Sequence, residues 1–112
     1  MLRRLQTLPP AEVRVCAIVK AEMYYGAMKS VDPAHTLAQQ QMFLNAFESL
    51  PCDDAAALVY GRVRAELARR GMPIGPNDLM IAAIAVAHDL ILVTHNATEF
   101  DRVTGLRLED WE

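Results

Sequence analysis

The stretch NDLMIAAIAVAHDLILV, residues 77–93, decides the fold. Asn77 and Asp78 open an apolar helix that is expected from about Leu79 to His88. Leu90-Ile91-Leu92-Val93 is then a continuous apolar run of strand length, the pattern of a strand covered on both faces in a parallel sheet. Upstream, Asp54 is expected to cap a helix through Tyr60, Val63 and Leu67 to Arg70, with Gly71 as its C′ residue. Val13-Arg14-Val15-Cys16-Ala17 alternates like a strand. Helices follow at Val19 to Ser30 and, with Pro33 in its first turn, at about Ala34 to Ser49. Leu50-Pro51-Cys52 and Leu106-Arg107-Leu108 are weaker strand signals, and Arg3 to Leu8 reads as a helix end stopped by Pro9-Pro10. Strands separated by helices point to an α/β sandwich around a parallel sheet.

The composition bounds what such a domain does. At 112 residues the chain is expected to form one domain, and 53% hydrophobic residues supply a real core. No apolar run reaches the roughly 18–20 residues of a membrane span, and Met1-Leu2-Arg3-Arg4-Leu5-Gln6 lacks the apolar core of a secretory signal. Eleven Lys and Arg against 14 Asp and Glu leave a net charge of −3, which argues against binding nucleic acid by bulk electrostatics. A nuclease whose acidic site is neutralised by metal remains compatible with that balance. Cys16 and Cys52 show no C-x-x-C spacing and read as small buried hydrophobes, so free thiols in a reducing cytoplasm are the expectation.

In open α/β sheets, sites form outside the carboxyl ends of the strands. Glu22 follows the first strand, and Thr94, Asn96, Glu99 and Asp101 follow the strand ending at Val93. Asp78 starts a helix whose N-terminus faces the same edge. Carboxylates converging there would suit Mg²⁺ or Mn²⁺, hard ions that take a few carboxylates and keep several waters. Each has an ordinary alternative. Asp78 would serve as an N-cap or first-turn acid, Glu99 as the N3 partner of an Asn96 cap, and Glu22 as a solvated helix residue. His35, His88 and His95 have no zinc spacing. Residues 71–75 do not form a phosphate loop, and Ser30 and Ser49 lack a hydrolase context. Arg62, Arg64, Arg69 and Arg70 are of a kind to meet phosphates, with a solvated helix face as their ordinary reading.

Three blocks add a resemblance. Ala17-Ile18-Val19-Lys20-Ala21-Glu22-Met23-Tyr24-Tyr25-Gly26 resembles the S-x-x-x-x-E-L-x-x-G segment of PIN-domain ribonucleases of the VapC toxin type. The stretch from Ile74 to Ala83 resembles their D-x-x-I-A-A helix start. Leu92-Val93-Thr94-His95-Asn96-Ala97-Thr98-Glu99-Phe100-Asp101-Arg102-Val103 is similar to VTNNxxEFxRV, followed by a closing GLxxxxW from Gly105 to Trp111. The resemblance implies a PIN-like three-layer α/β/α sandwich with a short parallel sheet. It also implies an Mg²⁺- or Mn²⁺-dependent endoribonuclease, acting on tRNA or other structured RNA. Glu22, Asp78 and Glu99 would be the metal carboxylates, Asn96 would stand beside them as a catalytic residue, and Thr94 would shape the turn. A homodimer and neutralisation by a VapB-like antitoxin are further implications.

The family's opening strand, with its L-L-D-T-N motif and first metal-binding Asp, has no counterpart in this sequence, which is similar to an N-terminally truncated member. The expectations that follow are weaker metal binding and a dimer that pairs strands or helices between chains. The alternative is a catalytically weakened or inactive PIN-like module for binding or dimerisation.

Overall fold

The computed structural model describes residues 13–94 and 96–110. The expected helix end at Arg3 to Leu8, together with His95 and Trp111, lies outside them. Strand β1 (Arg14–Cys16) runs directly into helix α1 (Ala17–Met28), and α2 (Pro33–Leu44) leads to β2 (Glu48–Leu50). Helix α3 (Asp54–Arg69) and helix α4 (Pro76–Ala87) follow, then β3 (Ile91–Val93), the short α5 (Ala97–Phe100) and β4 (Arg107–Glu109). Both strand pairings are parallel, β1 with β2 and β3 with β4, and among the described residues they form two separate two-stranded ladders. The α/β class and the parallel connections are those expected from sequence. No described helix is long and apolar enough to cross a membrane.

Several boundaries differ from the sequence reading, each for a local reason. Helix α2 stops at Leu44, five residues before the expected Ser49. Its last N–H groups tighten into i→i−3 bonds, Ala46 to Phe43 and Phe47 to Leu44, and the chain then enters the ladder with β1. Arg14 and Glu48 sit opposite one another there and form an ion pair at 2.7 Å. The strand is therefore Glu48–Leu50 and not Leu50–Cys52, and Pro51, with no N–H to donate, ends it. Helix α1 starts at Ala17 rather than Val19. Helix α3 is capped by Asp53 and not by Asp54, since the Asp53 carboxylate accepts from the Ala56 N–H at 2.9 Å. Helix α4 begins three residues earlier than expected because Pro76 takes N1, where its fixed φ suits a helix start.

Two helix ends are closed in the same way. Gly71 (φ 67°) follows α3, and the N–H groups of Gly71 and Met72 reach the carbonyls of Ala68 and Leu67. After α4, Asp89 (φ 54°) and Leu90 bond to Val86 and Ala85 in the same pattern.

Helix α4 organises the interior. Leu79 and Ala82 join Val63 and Leu67 of α3 with Phe100 and Val103 in one buried cluster. Ile84 joins Ala56 and Cys16 in a second. A helix walled on two sides explains its unbroken apolar run. Cys16 is buried as expected, whereas Cys52 is exposed, because it lies in the link after β2 and not in a strand; both are free thiols.

Candidate active site

The site is assembled by three starts and one turn. Glu22 lies in the second turn of α1, directly beyond the carboxyl end of β1, and is exposed. Asp78 is the third residue of α4 and half-buried. Glu99 is half-buried in α5, beyond the carboxyl end of β3. The turn that carries the chain there is held by Thr94, whose N–H extends the ladder to the Glu109 carbonyl (3.1 Å). Its hydroxyl accepts from the Asn96 N–H at 3.0 Å. Thr94 thus shapes the turn, as the sequence indicated.

The electrostatics tie the three acids together. The Asp78 carboxyl is held above its ordinary range, first by burial, then by a hydrogen bond that requires a proton shared with Glu99, then by the negative charges of Glu99 and Glu22. A carboxylate in the first turn of a helix ordinarily gains about 0.3–1 kcal/mol from the helix dipole, which would lower its pKa. Here burial and like charge outweigh that contribution. Asp78 makes no side-chain cap, because Gly75 occupies the N-cap position. The first-turn alternative thus describes where Asp78 sits and does not account for its environment.

The capping-box alternative for Glu99 also fails. Asn96 is the N-cap residue of α5 but makes no side-chain cap bond. Instead its Nδ2 donates to Glu99 Oε2 at 2.9 Å. The amide orients the carboxylate that faces Asp78. Glu22 is solvent-exposed, as the ordinary reading had it, yet close enough to act on Asp78. Asp101 is the exposed C-cap residue of α5.

Glu22, Asp78, Glu99 and Asn96 therefore share one region. Among the described residues no group of three or more His, Cys, Asp or Glu side chains is placed so as to hold a metal ion. The three acids meet electrostatically without closing on a common point. Carboxylate oxygens concentrated in this way, repelling one another enough to raise Asp78, are the hard donors that Mg²⁺ and Mn²⁺ take.

Sequence reasoning missed a polar link beside the fold's centre. His88 Nε2 lies 3.0 Å from Asp53 Oδ2, joining the end of α4 to the start of α3. The distance of 35 residues between the two gave no local signal.

The PIN domain family matches residues 2–106. The tRNA(fMet)-specific endonuclease VapC of Salmonella typhimurium is 42% identical over 110 residues, covering 98% of this chain and 83% of that protein. Ribonuclease VapC2 of Haemophilus influenzae is 43% identical over 97 residues, 87% of this chain and 74% of that protein. The crystal structure of DNA-bound VapBC from Salmonella typhimurium superposes with a TM-score of 0.93 at 41% identity, covering 99% of this chain and 84% of that one. Fold and sequence agree, and the chain belongs to the PIN-domain family in its VapC branch.

Proposed function

We propose that this chain is a metal-dependent endoribonuclease, the VapC-like toxin of a toxin–antitoxin pair. The observation that supports this reading is the electrostatic coupling of Glu22 and Glu99 to Asp78 beyond the carboxyl ends of parallel strands, in a chain whose relatives are named as nucleases. Those three side chains would hold Mg²⁺ or Mn²⁺. The donor set fits in kind: all oxygens, anionic, and carrying mutual repulsion that a dication relieves. When bound, such an ion supplies a Lewis acid that makes water nucleophilic near neutral pH and offsets charge on a phosphodiester.

The chain's own residues do the positioning. Asn96 fixes the Glu99 carboxylate through its amide N–H, and Thr94 fixes Asn96. Asp78, on the rigid central helix, sets the point around which substrate is placed. The substrate is RNA, with tRNA the first class to try given the relative named for tRNA(fMet). A VapB-like antitoxin is the partner, as in the solved VapBC complex, and a homodimer acting in the cytoplasm completes the reading. The relatives, named as nucleases, do not favour the inactive-module alternative.

The test is cleavage of purified tRNA and of total RNA by the full chain, in Mg²⁺, in Mn²⁺ and in EDTA, beside Asp78→Asn. Cleavage is expected only with metal, and the variant is expected to be slower by roughly 10²–10³, the scale of removing one electrostatic contributor from an active site. Cleavage that persists in EDTA, or that Asp78→Asn leaves at the wild-type rate, overturns the assignment.

A further inference from the structure

The first turn of α4 does more than carry Asp78. Its Pro76 and Leu79 help line an open cleft of about 300 Å³, with Tyr60 and Arg64 of α3 and with Pro73 and Ile74. That volume sits at the small end of the range for ligand pockets, roughly 300–1,000 Å³. Tyr60 is half-buried, packed against the cluster around Val63 and Leu67. Arg64 lies over it: Nη1 donates to the Tyr60 hydroxyl at 3.1 Å, and the guanidinium carbon is 5.9 Å from the ring centroid.

The charge around this cleft is unlike that of the molecule. Residues 62–70 hold four arginines against one glutamate, in a chain of net charge −3. Arg70 is committed elsewhere, to the Arg102 carbonyl at 3.0 Å and to Glu66 at 3.6 Å. Arg64 is exposed and engaged with Tyr60 through a single N–H, which leaves the rest of its fork of donors for an anion. An aromatic ring fixed by the core, a guanidinium beside it and apolar prolines opposite together fit a planar base with an attached phosphate.

We propose that the Tyr60–Arg64 cleft is a nucleotide subsite for the RNA substrate, in which a base stacks on Tyr60 and Arg64 takes the neighbouring phosphate. This rests on the nuclease reading, and it adds where the strand lies: α4 places the subsite within one helical turn, along the chain, of the acid at the reacting phosphate. The sequence held a trace of this in the i, i+4 spacing of Tyr60 and Arg64, which puts the two on one helix face.

Binding is measured in EDTA, where cleavage does not confuse it, by fluorescence anisotropy of a labelled single-stranded RNA on the full chain. Tyr60→Ala is expected to weaken binding about tenfold, within the range found for losing one stacked base. Tyr60→Phe, which keeps the ring, is expected to restore most of it. Arg64→Ala is expected to weaken binding and to lower the slope of log K against log salt by about 1. Leu58→Ala, on the exposed side of the same helix, is the control. If Tyr60→Ala fails to fold, Tyr60→Leu keeps the packing and removes the π face. Binding unchanged in Tyr60→Ala or Tyr60→Leu overturns the subsite, as does a cleft that protects a bound protein segment and not RNA. The two readings fail separately. Loss of RNA affinity in Tyr60→Ala without any wild-type cleavage sinks the nuclease assignment and leaves the subsite. Metal-dependent cleavage with Tyr60 variants at wild-type affinity does the reverse.

Discussion

Asp78 shows how much a single residue's surroundings can say. Its raised pKa means that the folded chain binds this proton more tightly than the unfolded chain does. The stability it contributes is present below the ordinary carboxylate range and is lost as pH rises through the shifted value. At neutral pH, without metal, Asp78 is therefore a source of repulsion. Asp78→Asn keeps a donor for Glu99 and removes the charge. In EDTA at pH 7.5 it is expected to raise Tm by roughly 1–3 °C, a small shift because a half-exposed group is screened by solvent. The gain should shrink as pH falls through the raised Asp78 value, where wild-type Asp78 takes up its proton. Added Mn²⁺ should stabilise the wild type more than the variant. Thermal scans at two pH values, with and without Mn²⁺, check the set; a variant less stable at pH 7.5 in EDTA than the wild type would contradict the sign. That Glu22, Asp78 and Glu99 fall just beyond strand ends or in the first turn of a helix was legible in the sequence, because strand ends and helix starts are. The Asn96–Glu99 bond was not, since the same two residues at the same spacing also describe a capping box, and only coordinates distinguish an amide facing a carboxylate from one facing a backbone N–H.

Among the elements, α4 carries the strongest constraint. Ala82 has 0% of its surface exposed and Ala83 1%, so α3 and the strands approach the helix to within an alanine's width. Ala82→Leu adds volume where none is free, and overpacking of this kind typically costs about 1–3 kcal/mol. A urea midpoint lowered by the corresponding amount, with an unchanged slope, is the expected result; an unchanged midpoint would mean that the interface gives way. Long helices such as α3 and α4 were legible because their apolar residues run over three or more turns, even though the cap of each lies one or more residues before its expected place. Three-residue strands were legible where the run was wholly apolar, as at Ile91–Val93, or alternated around β-branched residues, as at Arg14–Cys16. Strand β2 was hidden because Leu37, Phe43, Leu44 and Phe47 continue a helical spacing up to its edge. What ends α2 is the ladder with β1 and the Arg14–Glu48 pair, two contacts between segments more than thirty residues apart that no local window contains.

At the scale of the whole molecule, two buried clusters and two strand pairs depend on a single helix. One cluster holds Val63, Leu67, Leu79, Ala82, Phe100 and Val103, the other Cys16, Ala56 and Ile84, and α4 contributes to both. Helix α3 also serves both, through Ala56 at its start and Val63 and Leu67 further along. Neither half can lose its core without removing a wall from the other, so the described residues are expected to unfold as one cooperative unit. The test pairs a variant in each half. Leu67→Ala, at 2% exposure, is expected to cost about 2–5 kcal/mol, and Ile84→Val, also at 2%, about 0.5–1.5 kcal/mol. In urea, at one fixed protein concentration, each should move a single transition that far-UV circular dichroism and tyrosine near-UV signals report together. Two transitions, with Leu67→Ala shifting one and Ile84→Val only the other, would show that the halves fold independently. The carboxylates would then be carried on separate bodies, Glu22 on one and Glu99 on the other, and their meeting at Asp78 would depend on how those bodies dock. A single transition ties the geometry of the site to the stability of the whole chain, because the helix that positions Asp78 is also the one whose loss unfolds everything around it.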